Sequence, residues 1–166
     1  GETISFGLMS VFRKGLSPHQ TALAMIGAKA GSVVLVLGAD DPALAGEIAL
    51  VTGLNGRTLV VDPDAAAEKR MEAAAGEAGA LIEFTRAPRA LLPLDPDTFD
   101  VVVIPGLAAL SAEERVLTVA EGLRVTRPGG RVVIVAREKR PGLFGALSAK
   151  APVLGPDTAT ALLTSA

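Results

Sequence analysis

Cysteine, tryptophan and tyrosine are all absent from the 166-residue sequence, and histidine occurs once. Without cysteine there are no disulfides, no thiolate metal ligands and no cysteine nucleophile. A single histidine, His19, leaves little from which to build a zinc site, so no metal is expected. The only aromatics are five Phe, too few for platforms on which bases stack. Lys and Arg number 16 against 18 Asp and Glu, a formal net charge of −2 rather than the basic excess that attracts phosphate backbones. Nucleic acid is therefore not an expected partner. No apolar run approaches the ~18 residues of a membrane span. The opening stretch GETISFGLMSVFRKG carries its basic residues after its apolar ones, the reverse of a secretory signal. The composition, 49% apolar and 20% charged, is that of a globular domain with no membrane partner, and a cytoplasmic location is expected.

Five short apolar runs recur along the chain: VVLVL (33–37), TLVVD (58–62), ALIEF (80–84), FDVVVI (99–104) and RVVIVA (131–136). Most are rich in Val and Ile and apolar on both faces, the pattern of strands covered by helices on each side. Helix signals lie between them. Asp41-Pro42 offers an N-cap and an N1 proline, with Gly53 and Gly56 as stops. The segment 64–79, DAAAEKRMEAAAGEAG, is strongly helix-forming and ends at Gly79. Ser111 and Glu114 form a capping box before AEERVLTVAEGLRV. A further helix over 18–31 precedes the first strand, and RPGG (127–130) reads as a turn before the fifth.

The alternation predicts an α/β, Rossmann-like, doubly wound and mainly parallel sheet of about five strands with helices on both faces. One domain spans 1–166: an N-terminal helical segment over 1–31, the core over 32–136 and a C-terminal tail over 137–166. The tail includes a helix at PDTATALLTSA (156–166). Either further strands follow, or strand five is left as an unpaired edge that needs covering, and a homodimer is one way to cover it.

Ligands of such sheets bind outside the carboxyl ends of the strands, where the connection order reverses. The turn after strand one, Gly38-Ala39-Asp40-Asp41-Pro42, is the first candidate. The G-x-G-x-x-G fingerprint is missing, and a pyrophosphate would face Asp40 and Asp41, which disfavours NAD and FAD. A cationic ligand would find those carboxylates helpful. Asp41 also reads simply as a helix cap, and Asp40 as a solvated residue. Asp62 ends strand two, where a carboxylate can accept both hydroxyls of a ribose; a helix cap or a solvated turn is the other reading.

Taken together, these stretches resemble a class I S-adenosylmethionine-dependent methyltransferase. VVLVLG resembles that family's first strand and glycine turn, and LVVDPD its second strand and ribose carboxylate. LLPLDPDTFDVVVIPG resembles the approach to and exit from strand four, and LRVTRPGGRVVIVA the segment through strand five. The similarity runs from about Leu23 to Ala136. Val36 stands where the family usually has an acidic residue, no carboxylate lies near Pro88 in TRAPRALLP, and the family's final antiparallel strand pair has no counterpart. The resemblance implies S-adenosylmethionine as cofactor and methyl transfer to a small-molecule substrate. A methyltransferase-like binding or assembly module without cofactor is the alternative. By the same resemblance Gly38, Ala39 and Asp40 line the methionine end, Asp62 and Pro63 the ribose, and Pro88 and Arg89 the adenine edge. Ile104 and Pro105 fall near the transferred methyl. No catalytic residue is identified. His19 is the one side chain that titrates near neutrality when unperturbed, yet a helix start is more often a surface or capping position. The basic cluster AREKR (136–140) reads as a solvated loop on the ligand side.

Overall fold

The computed structural model describes residues 19–136 and 153–154. In chain order the elements are α1 (His19–Ile26), β1 (Val33–Leu37), α2 (Pro42–Thr52), β2 (Arg57–Asp62), α3 (Ala66–Ala78), β3 (Glu83–Arg86) and β4 (Phe99–Pro105). A 3-10 turn (Leu107–Ala109), α4 (Ala112–Val125), β5 (Thr126–Val135) and β6 (Val153–Leu154) follow. They build one sheet in the order β3-β2-β1-β4-β5-β6. The first five strands are parallel, and β6 alone runs antiparallel, on β5. Strand order reverses between β1 and β4, so the crevice for a ligand opens where those two strands end.

Period-two alternation distributes β1 between two cores. Leu35 and Leu37 join Leu59, Val61, Phe99, Val102, Ile104, Val119 and Val132 on the α4 side. Val34 and Val36 join Leu44, Ile48, Val60, Met71, Val101 and Val103 on the side of α1, α2 and α3. Both faces are dry, which is why the strands read as unbroken apolar runs. Val36, the apolar residue at the family's acidic position, is 2% exposed. It serves the second core.

The helix starts follow the sequence signals. Asp41 Oδ1 accepts the Leu44 amide at 3.1 Å, with Pro42 at N1. Ser111 Oγ accepts the Glu114 amide at 3.2 Å, and its hydroxyl meets the Glu114 carboxylate. Asp64 accepts the Ala66 amide ahead of α3; that bond and Arg70 hold its carboxyl below the ordinary aspartate range.

Three boundaries differ from the sequence pattern. The third strand lies at 83–86, not 80–84, because β3 is an edge strand whose register against β2 pairs Leu59 with Glu83 and Asp62 with Arg86. An edge tolerates Thr85 and Arg86, while Leu81 is left exposed before it. The first helix stops at Ile26, and Gly27 returns its amide to Leu23. The RPGG turn is an irregularity inside β5: Phe99 pairs with Thr126 and Val101 with Arg131, so the intervening residues loop out of register. The tail contributes β6, which pairs Val153 with Val133 and Leu154 with Val132. The edge of β5 expected to be bare is thus partly covered by the chain itself. The helix expected over 156–166 lies outside the described residues.

Candidate functional site

β1 delivers Leu37 to the rim of the crevice and Gly38 immediately beyond it. Gly38 has φ +133°, a conformation that a side chain would strain. The turn is fixed from β2: Asp62 Oδ2 accepts the Ala39 amide at 2.8 Å, and Oδ1 accepts the Asp64 amide at 2.9 Å. On the other side of the crevice β4 ends at Pro105, followed by Gly106 with φ +66°.

Charged side chains meet above these two glycines. Arg89 Nη2 lies 2.9 Å from Asp62 Oδ2 and 3.0 Å from Asp40 Oδ1. The contact to Asp62 is a hydrogen bond; that to Asp40 is an ion pair without hydrogen-bond geometry, leaving Oδ1 buried and unbonded. Arg89 Nη1 is also buried without a partner. The side chains are 14% exposed for Arg89, 21% for Asp40 and 7% for Asp62. A Cβ built on Gly38 would lie 2.7 Å from Arg89 Cζ and Nη1, and one on Gly106 would collide with the Asp40 carboxylate. Asp40 therefore reaches across the crevice between β1 and β4, with Arg89 beside it.

The segment carrying Arg89 is anchored on both sides. Ala87 donates its amide to the Asp62 carbonyl at 3.2 Å. Leu92 donates to Glu121 Oε2 at 2.8 Å, and Arg124 of α4 reaches the carbonyls of Leu92 and Leu94 at 3.1 and 2.9 Å. Bonding from Arg124 holds the Glu121 carboxyl below the ordinary glutamate range, and Glu121 in turn raises Arg124.

The structure thus gathers Gly38, Ala39, Asp40, Asp62 and Arg89 at one place. Pro63 and Pro88 are exposed at the rim, where the Pro63 carbonyl accepts Arg86 Nε at 3.2 Å. Ile104 is different. It is fully buried in the α4-side core, near Gly122, and offers no surface to a ligand. Pro105 is buried at the strand end. Asp41 caps α2 and its Oδ2 faces His19 Nε2 at 2.9 Å, while His19 Nδ1 meets Glu47. Both imidazole nitrogens are turned to carboxylates, so His19 ties α1 to the start of α2. Of the AREKR cluster only Ala136 is described, and it is exposed. Gly106 was missed, although VIPG sets a glycine behind strand four much as VLG does behind strand one. Among the described residues no helix is long and apolar enough to cross a membrane, and no three His, Cys, Asp or Glu are grouped to hold a metal.

A parallel sheet that reverses at β1/β4, with a glycine turn after β1 and an acidic end to β2, defines the α/β class that binds nucleotide-type cofactors. Within that class the chain belongs to the methyltransferase domain family, whose sequence profile matches residues 43–134, more than half of the chain. The fold is that of class I S-adenosylmethionine-dependent methyltransferases. An S-adenosylmethionine-dependent methyltransferase from Aquifex aeolicus superposes with a TM-score of 0.61 at 16% identity, over 90% of this chain and 77% of that one. A Bacillus halodurans protein assigned as a methyltransferase gives 0.61 at 16%, over 77% of this chain and 55% of its own. A Rhodobacter sphaeroides protein assigned as a zinc-dependent alcohol dehydrogenase gives 0.58 at 16%, over 71% and 46%. The chain spans about half the length of these last two. No curated protein sequence matches it. At such identities the likeness shows the fold alone, and the dehydrogenase illustrates that the fold does not choose the chemistry.

S-adenosylmethionine is the cofactor of that family, and the residues present can be tested against it. A ribose diol needs acceptors, and Asp62 Oδ1 carries a single donor, leaving capacity for another. Close approach needs bare backbone, which Gly38 and Gly106 provide. Among the described residues, the atoms nearest the space above them are the far ends of two side chains, Arg89 and Asp40. The cradle fits once those ends move.

Proposed function

We propose that the protein transfers a methyl group from S-adenosylmethionine to a small-molecule acceptor in the cytoplasm. The observation that carries this reading is the meeting of Gly38, Gly106 and the Asp62 carboxylate at the one point where strand order reverses. Bound there, the cofactor supplies an electrophilic methyl on a sulfonium. The chain's own share is alignment and charge: Asp62 orients a diol, Asp40 balances positive charge, and the turn amides set the distance of approach. A small acceptor accords with the acidic balance and the scarcity of aromatics. Titration with S-adenosylhomocysteine tests the reading by a rise in melting temperature that grows with ligand concentration. Unchanged melting at millimolar ligand would sink it.

A second reading has one observation in its favour, the filling of the cradle by Arg89. On that reading the chain is a methyltransferase-like assembly module that binds no cofactor and self-associates through the strand-five edge. Light scattering that finds a stable dimer, together with no ligand-dependent shift, would support it; a cofactor-binding monomer would end it.

A further inference from the structure

We propose that Arg89 is a gate on the cofactor site: its guanidinium, held by Asp40 and Asp62, occupies the space over Gly38 that the cofactor needs and must swing out before the cofactor enters. The inference rests on the cofactor reading above and adds a control that nothing in the fold requires.

Four features of the molecule lead to it. The first is steric. An added carbon on Gly38 would meet Asp40 Oδ1 at 2.6 Å and Arg89 Cζ and Nη1 at 2.7 Å, so a ligand that approaches this backbone must displace the guanidinium together with the Asp40 carboxylate beside it. The second is the incompleteness of the clamp. Both carboxylates meet the same nitrogen, Nη2, at 2.9 and 3.0 Å, and Nη1 is buried with no partner. A bidentate arginine would be hard to dislodge, whereas a guanidinium with one buried N–H group unsatisfied is already short of the bonds it would make in water.

The third feature is the mounting. Bonds from Ala87 to the Asp62 carbonyl and from Leu92 to Glu121 hold the backbone on either side of Arg89. Opening is therefore a rotation of one side chain on a fixed segment, not the lifting of a loop. The fourth is electrostatic. Removal of the guanidinium alone leaves Asp40 and Asp62 facing each other in a partly desolvated cleft. A ligand bearing positive charge and hydroxyl donors replaces what the arginine supplied, so exchange of one for the other keeps both carboxylates compensated. The gate thus yields to a ligand that presents a cationic group and hydroxyl donors, and stays closed to one that has no cationic group.

Closure lowers apparent affinity by the fraction of molecules that are open. The test is calorimetric titration of S-adenosylhomocysteine into the wild-type chain and into Arg89→Met, which keeps the apolar stem and drops the cation. Arg89→Met should bind about tenfold tighter or more. Guanidinium ion at low millimolar concentration should then compete with the ligand in Arg89→Met, with sodium at equal ionic strength as the control. Should Arg89→Met fold poorly, Arg89→Gln, which keeps a hydrogen-bond donor for the two carboxylates and drops the cation, carries the same expectation of tighter binding. If the wild-type chain binds and neither variant binds more tightly, the gate is overturned and the cofactor reading stands. If a variant binds where the wild-type chain does not, the gate stands and the wild-type chain is held shut. If no protein binds, both fall.

Discussion

Strand β1 is pinned at each end by an aspartate from a neighbouring strand. At its start Asp100 of β4 accepts the Val33 amide at 2.8 Å; just past its end Asp62 of β2 accepts the Ala39 amide at 2.8 Å. Each aspartate also pairs with an arginine, Asp100 with Arg127 and Asp62 with Arg89. There the likeness stops. Arg127 is 59% exposed and Arg89 14%. At the amino end the arginine lies in solvent, which screens the pair and leaves it worth little. At the carboxyl end the same chemistry is drawn between glycine turns and shielded from water, so each unmet bond matters more. One architecture produces a fastening at one end of the sheet and a site at the other, and the difference is desolvation.

The largest expected effect separates the two aspartates. Asp62→Ala removes the acceptor of two amides and of a buried guanidinium, and should lower unfolding free energy by about 3 kcal/mol. Asp100→Ala should cost about half of that, roughly 1–2 kcal/mol. Denaturant melts that find the two equal would erase the contrast between the ends.

A smaller effect concerns the segment that mounts Arg89. The Glu121 carboxyl is held low by Arg124, so its stabilising contribution is present above its unfolded-state pKa and is lost as pH falls through the lower folded-state value. Glu121→Gln should therefore be less stable than the wild-type chain by about 1 kcal/mol near neutral pH, with the gap closing on acidification. A gap that widens in acid would mean the wrong sign for the Glu121–Arg124 bond. The smallest effect belongs to the exposed arginine. Arg127→Ala should move stability by no more than about 0.5 kcal/mol, and a larger loss would show that the amino end is less solvated than its exposure implies.

Much of this was legible before any coordinates. Strands two, four and five were readable because apolar residues on both faces leave a buried parallel strand as the economical fold. Asp41 and Ser111 were readable because caps act within three residues. Strand three was displaced because an edge strand answers to its register with β2 rather than to local apolarity. Ile104 falls near the transferred methyl by resemblance to the family, but alternation turned its side chain into the α4-side core.

By itself, then, the amino-acid sequence determined the layers, the order of strands and helices, the glycine turn at Gly38 and the acidic end of β2. All of these are set by short-range periodicity and backbone preference. Only the tertiary structure decided that Asp62, Asp40 and Arg89 share one charge cluster, that Gly106 faces Gly38 across the crevice, and that β6 returns to the edge of β5. Those outcomes join residues 20 or more positions apart, where long side chains choose partners by proximity and loss of water, and no local pattern encodes that choice.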